Sequence, residues 1–372
     1  MARGGPMHGS AVEWGTAGAV GNHCPGVGDV VNADFLNDLI ALSARIGADP
    51  SLVQGGGGNT SLKRGDALWV KASGTWLAHA HERDIFVPLP LAQVRDALRH
   101  DDGETRVNLL SQGLALRPSI ETSLHALLPH ALVVHVHSVA TIAWAVRRDA
   151  QTQLAQRLDG LNWAWVPYRR PGHRLTQVVA GILNTRTPDV LVLGNHGLVV
   201  GAADRAGAEA LLAEVERRLR LPQRDAPSSQ PQRLAQVNDL HWAPAPLELV
   251  HALATDAQAL RIAAGGVLYP DHAVFLGPRA AVVNDGECLS AALARTAAEC
   301  GAAPCFALVP GAGVLTAPDL SDGAHAMLHC LALVALRLDG EAALAELGES
   351  DVAELIDWEA EKYRRSLMRT PN

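Results

Sequence analysis

The sequence predicts an α/β protein built as two units, each a sheet layered with helices, and three observations carry that expectation. The chain has 372 residues, 48% of them hydrophobic and 19% charged, which is enough apolar material for a large buried core and a length that suggests two domains. From about Val30 to Leu221, and again from Leu247 onward, short apolar runs of strand character alternate with segments of helical spacing. Between the two zones, residues 222–246 (PQRDAPSSQPQRLAQVNDLHWAPAP) carry Pro, Gln, Ser and Asp with little apolar periodicity, the composition of a linker. The expected division is a Gly-rich N-terminal arm at 1–29, a first domain at 30–221, a linker at 222–246 and a smaller C-terminal α/β domain at 247–372.

In chain order, Asp34–Ile46 has apolar residues at helical spacing, and Ala67–Lys71 and Asp84–Pro88 read as short strands beside turns. Ser119–Leu128 reads as a helix with Ser119 as its N-cap. The run ALVVHVH (Ala131–His137) is short and β-branched, so it is expected as a strand, with a helix over Ala140–Arg147. Val190–Leu193 is a buried strand and Asp204–Leu219 an amphipathic helix. In the second zone Leu247–Ala263, Leu289–Cys300 and Gly323–Leu338 are expected helices, with Ala273–Leu276 and Cys305–Val309 as strands. Two strand-to-glycine turns, VLVLGNHGLVV and CFALVPGAGVLTA, are faintly similar, as a decayed repeat would be.

Composition narrows the function classes. A net charge of −8, with its acidic residues scattered, gives no nucleic-acid footprint and no acidic tail. Five cysteines, an odd number with no CxxC pair, read as free thiols in a reducing compartment. No apolar run approaches the roughly 18 to 20 residues of a membrane span, and residues 1–29 lack the apolar stretch of a secretion signal. The expectation is a soluble cytoplasmic protein with no nucleic-acid or membrane partner.

Chemistry concentrates around the histidines. Residues i and i+2 of a strand project from one face, so His135 and His137 present two imidazoles side by side. His196 follows an apolar strand in a turn (LVLGNHGLV), from which it can reach a site on a neighbouring strand. Three such donors suit a divalent, zinc-like ion. Glu121, at the start of the helix before the HVH strand, is placed to act as a base or as a partner of the ligands; a helix-start acid complementing the macrodipole is the plainer reading. Three segments look like anion-handling turns: Gly55–Ser61, Lys71–Thr75 and Pro118–Ser119. The glycine run is not a P-loop, because GxxxxGK[ST] is absent.

Taken in order, GGNTS (Gly57–Ser61), KASGT (Lys71–Thr75), PSIETSLHALLP (Pro118–Pro129), HVHS (His135–Ser138) and GNHGLVV (Gly194–Val200) resemble the class II aldolase/adducin family over about half of the chain. WVPYRRPG (Trp165–Gly172) is similar to the aldolase part of bifunctional rhamnulose-1-phosphate aldolase/dehydrogenase-like proteins, and LYPDHAVFLGP and LVPGAGVLTA to the region just C-terminal to that part. No GxGxxG and no Tyr-x-x-x-Lys pair accompanies them, which argues against hydride transfer. The resemblance implies a three-layer αβα sandwich around a mainly antiparallel sheet, and a homotetramer with active sites at subunit interfaces. It implies His135, His137 and His196 as zinc ligands, with manganese or cobalt as alternatives, Glu121 as catalytic acid/base, and Asn59, Ser73, Gly74 and Ser119 as phosphate-binding positions. Ile120 stands where family members often carry a second serine, which removes one hydroxyl from that pocket. Tyr168 is a candidate proton donor.

The function these features imply is that of a zinc-dependent aldehyde-lyase in carbohydrate metabolism. It would cleave a sugar phosphate or a hydroxy-keto acid, reversibly, into a dihydroxyacetone-phosphate-like or pyruvate-like fragment and an aldehyde. Sugar-phosphate epimerases and a dehydratase use the same apparatus, and adducin-like members use the fold as a non-catalytic interaction module.

Overall fold

A computed structural model describes residues 34–100 and 102–367. The arm expected at 1–29 and Cys24 lie outside these. The first half runs α1 (Asp34–Gly47), β1 (Asn59–Arg64), β2 (Ala67–Lys71), β3 (Phe86–Pro90), α2 (Leu91–Ala97), α3 (Gly103–Leu110), α4 (Thr122–Leu127) and β4 (Leu132–Val136). It continues through α5 (Val139–Ala145), α6 (Ala150–Arg157), β5 (Trp163–Val166), α7 (His173–Leu183), β6 (Val190–Leu193), β7 (Gly197–Ala202) and α8 (Arg205–Leu219). The second half holds α9 (Pro231–Val237), β8 (Ala243–Pro244), α10 (Glu248–Thr255), α11 (Ala257–Ala263), α12 (Pro270–Leu276) and β9 (Ala281–Val282). Then come α13 (Leu289–Cys300), β10 (Phe306–Val309), β11 (Gly313–Thr316), α14 (Asp322–Ala335), α15 (Glu349–Asp357) and α16 (Glu359–Leu367).

Seven strands form one sheet in the order β3-β2-β1-β4-β7-β6-β5, antiparallel throughout except where β5 runs parallel to β6. Strand alternation sends Leu132, Val134 and Val136 of β4 to one face, where they pack with apolar residues of α1, α5, α6 and α8. Val133 points the other way, into a core shared with α4 and α7, and α2 and α3 cover the neighbouring strands on that side. The result is helix, sheet, helix: a mixed α/β protein with a large, mostly antiparallel sheet and a second, smaller sheet in the C-terminal region.

That smaller sheet has the order β8-β11-β10-β9. It matches β4-β7-β6-β5 strand for strand, with two antiparallel pairings followed by a parallel one in each. The faintly similar turns fall at the same place in both, between β6 and β7 and between β10 and β11.

Three expectations are corrected. Ala273–Leu276 is not a strand but the end of α12, because Pro270 at the first helical position and Gly277 just past the last (φ +80°) bound a helix around that apolar run. Leu247–Ala263 breaks at Asp256, whose extended backbone ends α10 and whose carboxylate accepts from the Ala259 N–H at 2.7 Å to cap α11. Ser119 is not an N-cap: Glu121 holds that position before α4, and the Ser119 hydroxyl accepts the Glu121 N–H at 3.2 Å.

The stretch 222–246, expected as a linker, carries α9 and β8, with Leu234 buried. Arg224 in it donates to the Ala335 carbonyl at 3.1 Å and pairs with Asp256 at 2.8 Å. The two halves also share a core, in which Val139, Ile142, Ala143 and Val146 pack with Val250, Leu253, Leu328 and Leu331. Ile142→Ala is expected to cost about 2–5 kcal/mol, as deletion of a buried aliphatic side chain does. The loss should appear as a lowered midpoint of one calorimetric transition; two resolved transitions would show that the halves unfold independently.

Candidate active site

Strand register brings the first residues together. β4 lies between β1 and β7, and His135 stands opposite Asn59 on β1 and Val199 on β7. His135 therefore shares a face with Asn59, and His137 leaves the end of the strand on that same side. His196 enters from the turn between β6 and β7, where Asn195 takes φ +52°. The three ring centroids are 4.9 to 5.1 Å apart, and the donor nitrogens lie within 4.8 Å of one another. Gly57 makes room for this cluster, since a Cβ there would stand 2.8 Å from His137 Nδ1.

Glu121 approaches from the start of α4, with Oε2 3.2 Å from His135 Nε2 and Oε1 3.7 Å from His196 Nε2. Burial works against its charge, but the facing imidazoles and the Asn59 amide outweigh it and hold the carboxyl down to about 2. Burial keeps His135 below the usual histidine range and His196 down to about 3, so both rings are neutral at pH 7.

The protons on these rings can be placed from what their other nitrogens touch. His135 Nδ1 donates to the Leu198 carbonyl at 3.0 Å, and His137 Nδ1 lies 3.0 Å from the Asp271 carboxylate. Neither partner can donate, so both Nε2 atoms carry lone pairs, and they face each other at 3.2 Å. Glu121 Oε1 and His196 Nδ1 are buried without hydrogen-bond partners. The His135 and His137 lone pairs thus face each other beside the Glu121 carboxylate, which stands 3.2 Å from His135 Nε2, and a cation seated among them would relieve their repulsion. Three imidazole nitrogens and a carboxylate are the donor set of a zinc-like ion, so the residues fit a divalent metal.

A hydrogen-bonded chain sets Glu121. Asn59 Nδ2 donates to Glu121 Oε2 at 2.9 Å, the Asn59 carbonyl meets His125 Nε2, and His125 Nδ1 lies 2.7 Å from Ser61 Oγ. His125 must donate to the amide oxygen and accept from the serine, and burial holds it down to about 3, in the neutral form this requires. The sequence motifs did not single out His125. Its signal was the spacing of four residues from Glu121, one helical turn.

Beside the histidines, Ser73, Gly74, Ser119 and Ile120 line the same cleft as Asn59, Glu121, His137 and His196. Lys71 joins them from the end of β2, donating to the Gly56 carbonyl at 3.0 Å. Burial, with Arg364 adding to it, brings its amine down to about 7 against the pull of Asp271 and Glu121. The far wall comes from the second half: Pro270, Asp271, Glu361 and Arg364. Arg364 grips both oxygens of Asp271, at 2.7 and 2.8 Å, and reaches Glu361 at 3.3 Å. Asp271 falls within LYPDHAVFLGP, where no role was read for it, and Glu361 and Arg364 lie outside every motif. Tyr168 is not among the cleft-lining residues: it packs with Val267, Val274 and Leu355 instead, and burial raises its phenol pKa.

A model of the class II aldolase and adducin N-terminal domain matches residues 37–222. An uncharacterized oxidoreductase of Bacillus subtilis, YuxG, is 36% identical over 180 residues, which are 44% of this chain and 26% of that protein. The chain thus spans about a quarter of this curated relative's length. The N-terminal class II aldolase domain of a conserved protein from Thermoplasma acidophilum is 27% identical, with a TM-score of 0.44 over 51% of this chain and 94% of that one. An L-fuculose-1-phosphate aldolase from Thermus thermophilus is 15% identical, with a TM-score of 0.34 over 49% and 92%. With both TM-scores below one half, family assignment rests on the sequence match.

The buried groups set a pH dependence for the metal-free protein. His125 and His196 are depressed to about 3 and His272 to about 4, all mainly by burial, while Glu121 is held down to about 2. The unfolded chain binds protons at these sites well before the folded one does. Stability is then fully present above about 6.5, the unfolded histidine value, and falls as the pH drops toward the folded values. Thermal melts of chelator-treated protein should show a midpoint that declines steadily from pH 7 to pH 4; a flat profile over that window would contradict the burial of neutral imidazoles.

Proposed function

Because the chain belongs to the class II aldolase and adducin N-terminal domain family, we propose that it is a metal-dependent aldehyde-lyase. The reaction is reversible retro-aldol cleavage of a sugar phosphate or a related hydroxy-keto acid. The observation that carries this reading is the meeting, in one cleft, of His135, His137 and His196 with Glu121 and a cradle of small polar residues. Buried lone pairs aimed at a common point have no use in a purely structural module.

Breaking a carbon–carbon bond next to a hydroxyl leaves an electron pair that must rest on an adjacent carbonyl as an enediolate. A divalent ion, zinc or alternatively manganese or cobalt, held by the three histidines would supply positive charge to stabilise that oxyanion. Glu121 moves the proton at the enediolate carbon. Asn59, held by His125, fixes which way the Glu121 carboxylate faces, and so which of its oxygens is free for this transfer. Ser73, Gly74, Ser119 and the amine of Lys71 receive the anionic group of the substrate. Ile120 stands there in place of a hydroxyl, so the cradle offers one donor fewer and suits a carboxylate as well as a phosphate. The resemblance supports a homotetramer, and the free thiols of Cys288, Cys300, Cys305 and Cys330 fit a reducing, cytoplasmic setting.

Metal-loaded protein screened against ketose phosphates and 2-keto-acid aldols, with aldehyde detection, tests the reading. Glu121→Gln is expected to lower turnover by about 10²- to 10⁴-fold with metal still bound, whereas His135→Ala loses the metal itself. Near-normal turnover in the glutamine variant would reduce Glu121 to a helix-start acid.

The anion cradle has its own test. Ser119→Asp puts a negative charge where the substrate's anionic group is seated, so the apparent KM should rise steeply at unchanged metal content. A neutral ketose turned over as well as its phosphate or carboxylate counterpart would remove the cradle from the mechanism.

A further inference from the structure

We propose that Asp271, on α12 of the C-terminal half, is a positioning residue for the metal centre that sets the tautomer and donor strength of His137. The inference rests on the reading of His135, His137 and His196 as metal ligands. Asp271 lies outside the matched family region, which ends at residue 222, so the match assigns it no role.

The geometry distinguishes Asp271 from a fourth ligand. Its Oδ2 stands 3.0 Å from His137 Nδ1, on the side of the ring away from the other histidines. Both of its oxygens are gripped by Arg364, at 2.7 and 2.8 Å, so the carboxylate is fixed in plane and cannot swing toward the imidazole cluster. With Asp271 accepting at Nδ1, the His137 proton stays on that nitrogen, and the Nε2 lone pair is left to face His135 Nε2 at 3.2 Å.

A carboxylate in this place also makes the imidazole a stronger donor than a neutral acceptor would. The three rings are graded in this respect. His137 has a carboxylate behind it, His135 a backbone carbonyl, and the buried His196 Nδ1 no partner. Arg364 offsets the charge of Asp271, and Glu361 beside it completes a buried triad, so the carboxylate is held without being left unpaired.

The same contacts would also serve a plain strut between the two halves, and the experiment separates the roles. Metal-free protein is titrated with zinc against a chelator of known affinity, and the cobalt-loaded protein is followed by its visible absorption. Asp271→Asn keeps the shape and an acceptor but removes the charge. The pair Asp271→Asn with Arg364→Gln also removes the guanidinium, which the single variant leaves buried with only Glu361 to offset its charge. Both are checked for fold by circular dichroism, and the double variant decides if the single one does not fold. Asp189→Asn is the control, because it alters a histidine–aspartate pair of 2.9 Å, with His130, outside the cleft.

The expected result is zinc binding about 10- to 100-fold weaker in the Asp271 variants, with shifted cobalt bands, and neither change in the control. Folded variants that bind zinc as the parent does, with the same cobalt spectrum, would make Asp271 a strut and overturn the proposal. A parent protein that takes up no metal would overturn the ligand reading, and this inference with it.

Discussion

The centre of the molecule is governed by one electrostatic constraint: the Nε2 lone pairs of His135 and His137 face each other beside the buried Glu121 carboxylate. Removing a carboxylate and three imidazoles from water costs several kcal/mol per charged or polar group unless each finds a partner. Here the outer nitrogens of His135 and His137 find acceptors, and the inner atoms are left facing one another. Such an arrangement survives folding only if the surrounding frame is stiff. The frame consists of a central strand hydrogen-bonded on both sides, a glycine at 57 where any Cβ would collide with His137, and a network from Ser61 through His125 and Asn59 that holds the glutamate.

Stiffness of this kind demands that the two halves be immobile against each other, because each contributes a wall. The shared core supplies most of the attachment: α5 from the first half packs with α14 from the second, both almost wholly buried at the contact. The C-terminal helices add a strap across the cleft's outer side. Arg117 lies over the Tyr363 ring at 4.2 Å and Arg170 over the Trp358 ring at 4.0 Å, so cations of the first half grip aromatic faces of the strap. The strap in turn carries Glu361 and Arg364 inward, and Leu367 comes to rest over Gly74.

Much of this was legible in the sequence, for physical reasons that differ by residue. His135 and His137 declared themselves because strand periodicity is strict, so an i, i+2 pair on a β-branched run can only share a face. Val190–Leu193 and Leu289–Cys300 were readable to the residue, since apolar runs and helical spacing were bounded by clear turn residues. The glycine-rich segment was harder. Asn59 and Ser61 read as the end of an anion-handling loop, yet they begin β1, because burial between two strands overrides the weak strand preference of Asn, Thr and Ser. Asp271 and Arg364 were illegible: they lie 93 positions apart, and only the tertiary arrangement of α12 and α16 makes them a pair. At 222–246 proline does not exclude a helix, because Pro231 stands at the first turn of α9.

The second sheet repeats the strand order of the first without its chemistry. Where the turn between β6 and β7 reads Gly194-Asn195-His196-Gly197, the turn between β10 and β11 reads Pro310-Gly311-Ala312-Gly313. Asn195 and Gly311 both take positive φ, +52° and +71°, so the backbone path is kept while Ala312 stands at the place of His196. A turn that carries no histidine needs only residues that satisfy the bend, and glycine does so with less strain than asparagine. The likeness of the two units therefore lies in their strand order and pairing directions, and far less in the letters of the chain.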